Sequence, residues 1–290
     1  MISGGATGTE GVMIVDALKL RAAVIAKTRG FFDSLGFIEV DTPVRIPAPA
    51  PEPHIDCPRS GERFLRASPE LQMKKLLAAG MDRIYQIGPC FREGERGRRH
   101  AEEFTMLEWY RTNASYIDIL HDMESLICAI LGHKPPFERI TVEDAYLKWA
   151  GWNPLESFDQ DRFDFDMALK IEPNLPKEPV FLIDYPREAA SLSRLKEGDP
   201  RVAERWELYV GGMELANAFS ELVDPVEQRR RFEAARSERR TLGEADYPLD
   251  EDFLDALSSM PPSGGVALGI DRLVMLSAGL NDIALVRAGI

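Results

Sequence analysis

The stretch that decides the fold is residues 103–111, which read Glu-Phe-Thr-Met-Leu-Glu-Trp-Tyr-Arg. Because successive side chains of a strand point to opposite faces, a strand here places Thr105, Leu107 and Trp109 on one face. The other face then carries Phe104, Met106, Glu108 and Tyr110. Phe104 and Tyr110, at the two ends of this face, are six residues apart, which is roughly 20 Å. The pattern predicts a strand with one core face and one site-lining face, and a half-buried strand with an aromatic stripe is the alternative.

A basic loop precedes this strand. Residues 91–100 read Phe-Arg-Glu-Gly-Glu-Arg-Gly-Arg-Arg-His and lie between predicted strands at 84–87 and 104–110. Arginine is the side chain best suited to bidentate contact with phosphate or carboxylate. The loop therefore indicates an anion-binding hairpin, although a solvated surface loop has the same composition.

The second segment of interest is acidic and covers residues 207–221. Glu207, Glu214 and Glu221 are spaced by seven and flank a Gly-Gly turn. Asn217 and Phe219 share a strand face with Glu221, whereas Glu214 has the opposite parity unless a bulge intervenes. Carboxylates of this kind suit Mg²⁺, which commonly holds ATP phosphates through one or two of them. A charged hairpin at a sheet edge is the alternative.

A third segment, residues 263–275, is a glycine-rich strand that enters a helix at Gly269-Ile-Asp-Arg272. Helix starts of this kind bind anions. The segment matches neither a Walker loop nor the dinucleotide fingerprint. Its chemistry stays open on this evidence alone.

The other elements are predicted from periodicity and caps. We expect a helix from an N-cap at Asp16 to about Leu35, and another over 68–79 with Ser68 as N-cap. Further helices are predicted over 116–131 and 225–241, whereas 134–180 is hard to assign. Strands cluster without regular β-α-β alternation, so the predicted class is α+β, a mainly antiparallel sheet flanked by helices.

Composition limits the function. The 290 residues carry 35 Lys and Arg against 48 Asp and Glu, a formal net charge of −13. A large nucleic-acid footprint is disfavoured and a cationic partner is favoured, although acidity also aids solubility. Cys57, Cys90 and Cys128 have neither metal nor disulfide spacing, so a cytoplasmic location is expected. We expect residues 1–14 to be a flexible segment before one catalytic domain over 15–290, with no membrane helix.

These segments together resemble the motifs of class II aminoacyl-tRNA synthetases. Pro43 resembles the first motif, which forms the dimer interface in that family; Arg92 with the strand to Tyr110 resembles the second; and Gly269 to Arg272 resembles the third. Ser-Pro-Glu at 68–70, residues 103–111 and Met-Glu-Leu-Ala-Asn-Ala-Phe-Ser-Glu-Leu at 213–222 are similar to lysyl-tRNA synthetase. The resemblance runs from about residue 16 to the C-terminus.

The sequence leaves no room before residue 16 for an anticodon-binding domain. The chain therefore resembles the stand-alone paralogues, the elongation factor P–lysine ligase family. That resemblance implies ATP and Mg²⁺, activation of (R)-β-lysine or lysine, elongation factor P as protein acceptor, a homodimer, and no recognition of a tRNA anticodon. The alternatives are a truncated enzyme that charges tRNA or another carrier, and a pseudo-enzyme that senses lysine or nucleotide.

The resemblance also implies residue roles. Arg92 would touch the substrate carboxylate and the α-phosphate, and Arg272 with Phe104 would hold adenine. Glu207 and Glu214 would bind Mg²⁺. The implied amino-acid site comprises Ser68, Pro69, Glu70, Tyr110, Asn217, Phe219, Glu221 and Ala267, with Glu70 on the nearer amino group and Tyr110 and Glu221 on the distal ammonium. The implied ATP site adds Glu93, Gly94, Glu95, His100, Glu214, Leu215 and Gly269.

Two positions depart from the family pattern. The second motif usually reads Arg-x-Glu, but Gly94 stands at the Glu position, with Glu95 as the candidate substitute for the adenine contact. Ala267 stands where lysyl-tRNA synthetases tend to carry Gly, and one methyl group there is expected to favour a β-amino acid.

Overall fold

The computed structural model describes residues 8–289, and its main element is a nine-stranded sheet. Its strands, numbered with those of a small second sheet, are β1 (Ile38–Glu39), β5 (Arg83–Phe91), β6 (Glu103–Thr112), β7 (Glu138–Thr141), β8 (Val180–Pro186), β9 (Leu195–Lys196), β10 (Asp199–Val210), β11 (Met213–Ser220) and β12 (Ser263–Gly269). The second sheet has the order β2-β4-β3 and comprises β2 (Arg45–Ile46), β3 (Arg59–Ser60) and β4 (Arg63–Leu65).

The main sheet has the order β1-β5-β6-β12-β11-β10-β8-β7, and β9 pairs with β10. The pairs β1·β5 and β7·β8 are parallel, and the remaining pairs are antiparallel. The predicted class, α+β with a mainly antiparallel sheet, is confirmed. Antiparallel neighbours let distant chain segments meet side by side, as β12 does with β6 and β11.

Eight α-helices accompany the sheets within residues 8–289. They are α1 (Gly8–Ser34), α2 (Glu70–Ala78), α3 (Tyr116–Leu131), α4 (Val142–Trp149), α5 (Gln160–Asp166), α6 (Pro225–Leu242), α7 (Glu251–Leu257) and α8 (Ile270–Ala278). The predicted helix over 116–131 is confirmed. It begins at a capping box in which the Ser115 side chain accepts from Asp118 N and Asp118 reaches back to Ser115 N. No described helix is long and apolar enough to span a bilayer.

The predicted start of the first helix is wrong. Helix α1 begins at Gly8, so Asp16 lies inside the helix and pairs on its surface with Lys19 at 3.5 Å. Nothing between Gly8 and Asp16 breaks a helix, and an aspartate caps only where the chain leaves helical geometry. Residues 8–14 of the expected flexible segment are therefore helical, while residues 1–7 lie outside the described residues.

The start of α2 also differs from the prediction. Pro69, not Ser68, occupies the cap position, and the helix begins at Glu70. Ser68 still acts on the helix start, because its Oγ accepts a hydrogen bond from Glu70 N at 2.9 Å. The proline fixes the first turn without needing a backbone donor.

The main core lies on one face of the sheet, under α1, α3 and α8. Trp109 of β6 is fully buried there, and the Phe32 ring of α1 lies 5.1 Å from it and stacks on Tyr85 at 4.7 Å. Leu107 and Val266 face the same core. The alternation predicted for 104–110 is therefore confirmed on its core side, which leaves the other face of the strand for the site.

Candidate active site

Two adjoining cavities lie on the face of the sheet opposite the main core. The outer cavity has a volume of about 340 Å³ and the inner cavity about 70 Å³. The two cavities share five lining residues, which are Glu52, Arg92, Met106, Asn217 and Ala267. Because these residues come from five separate parts of the chain, the site exists only in the folded protein.

Strand register determines which side chains reach the cavities. Tyr110 of β6 lies opposite Gly265 of β12, and Glu108 lies opposite Ala267. Ala267 in turn lies opposite Asn217 of β11, which pairs with Glu207 of β10. Alternation along each strand sends the intervening residues into the core.

A β-bulge resolves the parity of Glu214. Leu208 pairs with Ala216 and Tyr209 pairs with Glu214, so Leu215 is the extra residue of β11. A bulge of one residue reverses the alternation beyond it. Glu214 consequently lines the outer cavity together with Glu207.

Three buried carboxylates surround the inner cavity. Glu70, Glu108 and Glu221 are 9%, 1% and 1% exposed. Glu108 accepts from Ser68 Oγ at 2.6 Å and from the Tyr110 hydroxyl at 2.9 Å. Burial, reinforced by the nearby Glu70 carboxylate, raises the pKa of Glu108 to about 7. The inner cavity is thus lined by acidic side chains, and a cationic ligand would favour their ionised form.

A buried lysine partly balances this charge. The Nζ of Lys74 lies 2.5 Å from Glu70 Oε1 and 2.5 Å from Glu221 Oε2, and the side chain is 1% exposed. Burial alone would lower the pKa of Lys74, but the carboxylates of Glu221 and Glu70 outweigh it, so the pKa lies above its ordinary value. Lys74 is therefore a permanent cation.

Arg92 lies where the two cavities meet. Its guanidinium stacks on the Phe104 ring at 5.2 Å, and its Nη1 is 3.5 Å from Glu95 Oε1. Its Nε is buried and has no hydrogen-bond partner among the described residues. A donor of this kind at a cavity junction is available to an anionic group that spans both cavities.

Arg272 and His100 lie side by side in the outer cavity. Arg272 Nη1 donates to the Glu214 backbone oxygen at 2.7 Å, and Arg272 Nη2 lies 2.8 Å from His100 Nε2. Burial and the adjacent guanidinium lower the pKa of His100. The Nε2 of a neutral His100 can accept a hydrogen bond from the guanidinium, so the positive charge of the pair stays on Arg272.

The outer cavity also has an acidic wall. Glu207 is held by Arg205 Nη2 at 2.6 Å and by the Tyr209 hydroxyl at 2.8 Å, and Glu214 pairs with Arg272 at 3.2 Å. Two carboxylates on one cavity wall fit the donor set of a Mg²⁺ ion that takes its other ligands from phosphates and water. Within residues 8–289, no three His, Cys, Asp or Glu side chains form a metal-ligand cluster, so a protein-only cage is not present.

Asp271 fixes the position of the third motif. Its Oδ1 pairs with Arg21 Nη1 of α1 at 2.5 Å, and its Oδ2 accepts from the Thr105 backbone N at 2.7 Å. The carboxylate is buried at the start of α8, close to the positive end of that helix. It thereby ties α1, β6 and α8 together directly behind Arg272.

Most of the predicted site residues are brought together. Those that line one or both cavities are Ser68, Glu70, Arg92, Glu95, His100, Phe104, Tyr110, Glu207, Glu214, Leu215, Asn217, Phe219, Glu221, Ala267, Gly269 and Arg272. Three others, Pro69, Glu93 and Gly94, do not line either cavity. Glu93 and Gly94 are exposed, whereas Glu95 turns inward beside Arg92.

The sequence predicted no site role for Glu52, Lys74, Glu108 or Arg205, although it placed Glu108 on the site-lining face of its strand. Lys74 stands four residues after Glu70, the helical spacing of an ion pair, so a signal existed. Glu108 shares a strand face with Tyr110, so side-chain alternation along the strand was the signal there. Arg205 shares a strand face with Glu207, which is the same kind of signal. Glu52 carries no local signal, because only tertiary packing brings it to the cavities.

The comparisons with known proteins define the class. The family model "tRNA synthetases class II (D, K and N)" matches residues 12–288, and the chain belongs to that family. Among similar proteins, one from Vibrio vulnificus is 36% identical over 303 residues, covering 93% of this chain and 94% of the relative. One from Erwinia tasmaniensis is 38% identical over 304 residues (93% of both). One from Salmonella typhi is 35% identical over 317 residues (98% and 97%). All three are named elongation factor P–(R)-β-lysine ligase.

Gly265 provides a test of the packing between β12 and the inner cavity. A Cβ at Gly265 would collide with the Tyr110 ring and Glu221 Oε1. We expect Gly265→Ala to lower the free energy of unfolding by about 1–3 kcal/mol, because the ring cannot move without disturbing the cavity. The measurement is urea denaturation followed by circular dichroism.

The matched control is Gly30→Ala in α1, where a Cβ meets no atom within 4 Å. It should raise the free energy of unfolding by about 0.5–1 kcal/mol, since alanine is favoured over glycine in a helix. A stabilising effect of the same size at Gly265 would contradict the described packing.

Proposed function

We propose that this protein uses ATP to activate (R)-β-lysine or lysine as an aminoacyl-adenylate and then transfers the aminoacyl group to a lysine side chain of elongation factor P. Family membership and the names of the similar proteins support a ligase of this kind. The observation that carries the proposal is the position of Arg92 between an anionic inner cavity and an outer cavity containing Phe104 and Arg272.

In this proposal the inner cavity holds the amino acid. The Glu70 carboxylate takes the amino group nearer the substrate carboxylate, and Tyr110 with Glu221 takes the distal ammonium. A buried carboxylate selects an ammonium over a neutral isostere, because an unpaired buried charge is costly. The substrate carboxylate then points toward Arg92 and the outer cavity.

The outer cavity holds ATP. Phe104 and Arg272 enclose the adenine ring, a cation–π arrangement, and His100 contacts the phosphates. Glu95, which lies beside Arg92, is the candidate for the adenine contact that Gly94 cannot make. A Mg²⁺ ion held by Glu207 and Glu214 would neutralise part of the negative charge of the phosphates.

The first step forms a bond between a substrate carboxylate oxygen and the α-phosphorus, and pyrophosphate leaves. Negative charge grows on the α-phosphate oxygens, and Arg92 is positioned to stabilise it. In the second step the neutral amine of the acceptor lysine attacks the activated carbonyl carbon, AMP leaves, and one proton is lost as the amide forms. Positioning and electrostatics are sufficient, so no protein nucleophile is required.

The decisive assay incubates the protein with ATP, Mg²⁺, elongation factor P and either lysine or (R)-β-lysine, and weighs the factor by mass spectrometry. We expect one added aminoacyl group. Arg92→Ala should lower the rate by about 10²–10³ through lost transition-state stabilisation. Arg201→Ala, which removes an exposed arginine paired with Asp199, is the control and should have the wild-type rate.

A factor that stays unmodified with both amino acids would rule out the proposed acceptor. Attachment of labelled lysine to tRNA in the parallel reaction would identify a tRNA-charging enzyme instead. Binding of lysine or ATP without any pyrophosphate release would identify a sensor.

Ala267 is proposed to influence the choice between α- and β-lysine. It lies opposite both Glu108 and Asn217 in the sheet and lines both cavities. Ala267→Gly removes one methyl group next to the substrate amino group and should raise the activation of α-lysine relative to β-lysine. Pyrophosphate exchange with each amino acid measures the ratio, and an unchanged ratio would contradict this role.

We also propose a homodimer in the cytoplasm. All three cysteines are free, which suits a reducing compartment. The edge strand β1 exposes 56% of Ile38, and Leu35, directly after α1, is 40% exposed. Exposed apolar side chains on adjoining elements are typical of a protein interface.

Ile38→Glu should therefore dissociate the dimer, because the carboxylate would be buried against the second copy without a partner. Sedimentation velocity measures the mass. Val226→Glu, at a site that is 78% exposed on α6, adds the same charge elsewhere and should leave the dimer intact. A wild-type monomer, or an Ile38→Glu dimer, would contradict the proposed interface.

A further inference from the structure

Lys74 has an unusual position for a lysine. It lies on the buried side of α2, and its Nζ bridges Glu70 of the same helix and Glu221 at the end of β11. Fully buried lysines are rare unless they are paired. Here one ammonium contacts the two carboxylates that the proposed function assigns to the two substrate amino groups.

The bridge uses one oxygen of each carboxylate. Lys74 Nζ lies near Oε1 of Glu70 and Oε2 of Glu221, so the second oxygen of each remains for a ligand. Neither oxygen of Glu221 has a hydrogen-bond partner of suitable geometry among the described residues, although Lys74 is close. Both residues line the inner cavity. An ammonium donor in that cavity would complete the coordination of Glu221.

We propose that Lys74 is a specificity-determining positioning residue: by bridging Glu70 and Glu221 from behind, it fixes the distance between the two ammonium subsites for a diamino acid. This inference rests on the proposed function and extends it to a residue that contacts no substrate.

The other charged or titratable groups around this bridge do not replace it. They are Glu108 and Tyr110 of β6, Glu52 and Arg92 at the junction, Arg66 after β4 and Arg205 of β10. Arg66 is committed to the Thr42 and Pro89 oxygens, at 2.7 and 3.1 Å. Arg205 is committed to Glu207 and the Ala189 oxygen. Lys74 is thus the cation placed directly between the two acids.

The consequence for pH is directional. Burial raises the pKa of Glu221 above its ordinary value, and Lys74 opposes that rise. Without Lys74, protons compete more strongly with the distal substrate ammonium for Glu221. The affinity for lysine should then fall at neutral pH and recover as pH rises, with about tenfold loss of affinity for each unit by which one carboxyl pKa increases.

The test compares Lys74→Met with Lys75→Met, which removes the neighbouring lysine that pairs with Asp250 at 2.7 Å outside the cavities. Binding of lysine and of ATP is measured by calorimetry at pH 6.5, 7.5 and 8.5. These values lie roughly around the raised pKa values of the buried carboxyl groups. We expect Lys74→Met to weaken lysine binding at least about tenfold at the lowest pH, to weaken it less as the pH rises, and to leave ATP binding unchanged. Lys75→Met should follow the wild-type profile.

Lys74→Arg keeps the charge and covers the case in which Lys74→Met does not fold. It should retain the wild-type pH profile but bind lysine more weakly, because a guanidinium cannot hold the two carboxylates at the same spacing. Unchanged lysine binding in both Lys74 variants would overturn the proposal. An equal loss of lysine and ATP binding at every pH would also overturn it, because that pattern indicates only a structural role.

The two proposals can be separated in the same experiments. A wild-type protein that binds lysine but does not modify elongation factor P contradicts the proposed function and leaves the role of Lys74 measurable by binding. A wild-type protein that binds no lysine at any pH contradicts both.

Discussion

The register of four antiparallel strands, β6, β12, β11 and β10, is the constraint on which the rest of the structure depends. Each strand alternates between a core face and a cavity face, so a shift of one residue would exchange the two faces. Trp109, Val266 and Trp206 lie in the core only because Tyr110 and Asn217 lie in the cavities. The core helices α1, α3 and α8 therefore fix the site indirectly, by fixing the face they cover.

The bulge between β10 and β11 is a local exception to this alternation. The bulge at Leu215 turns Glu214 into the outer cavity, where it meets Arg272. Arg272 in turn follows Asp271, whose buried carboxylate holds Arg21 and the backbone of Thr105. One bulge and one buried acid thus connect three segments that are distant in sequence, and small local features determine the geometry of the outer cavity.

Electrostatics distinguishes the two cavities. The inner cavity contains buried carboxylates held by hydrogen bonds and by Lys74, whereas the carboxylates of the outer cavity are accompanied by arginines and His100. Removing such groups from water is costly, and the chain compensates by pairing nearly all of them. The buried Nε of Arg92 and the two oxygens of Glu221 lack hydrogen-bond partners among the described residues, and Arg92 lies at the junction of the cavities. An unsatisfied donor at that point is what a site for an anionic reacting group requires.

The sequence by itself determined the fold class, the faces of the strand 104–110, helix α3 and most of the cavity-lining residues. These are local properties, set by side-chain alternation and helix caps, or by motifs that resemble a known family. It did not determine where α1 begins, because a residue that can cap a helix, such as Asp16, can also lie inside one. Only the tertiary structure decided the bulge that orients Glu214 and the bridge of Lys74, since each depends on contacts between segments far apart along the chain.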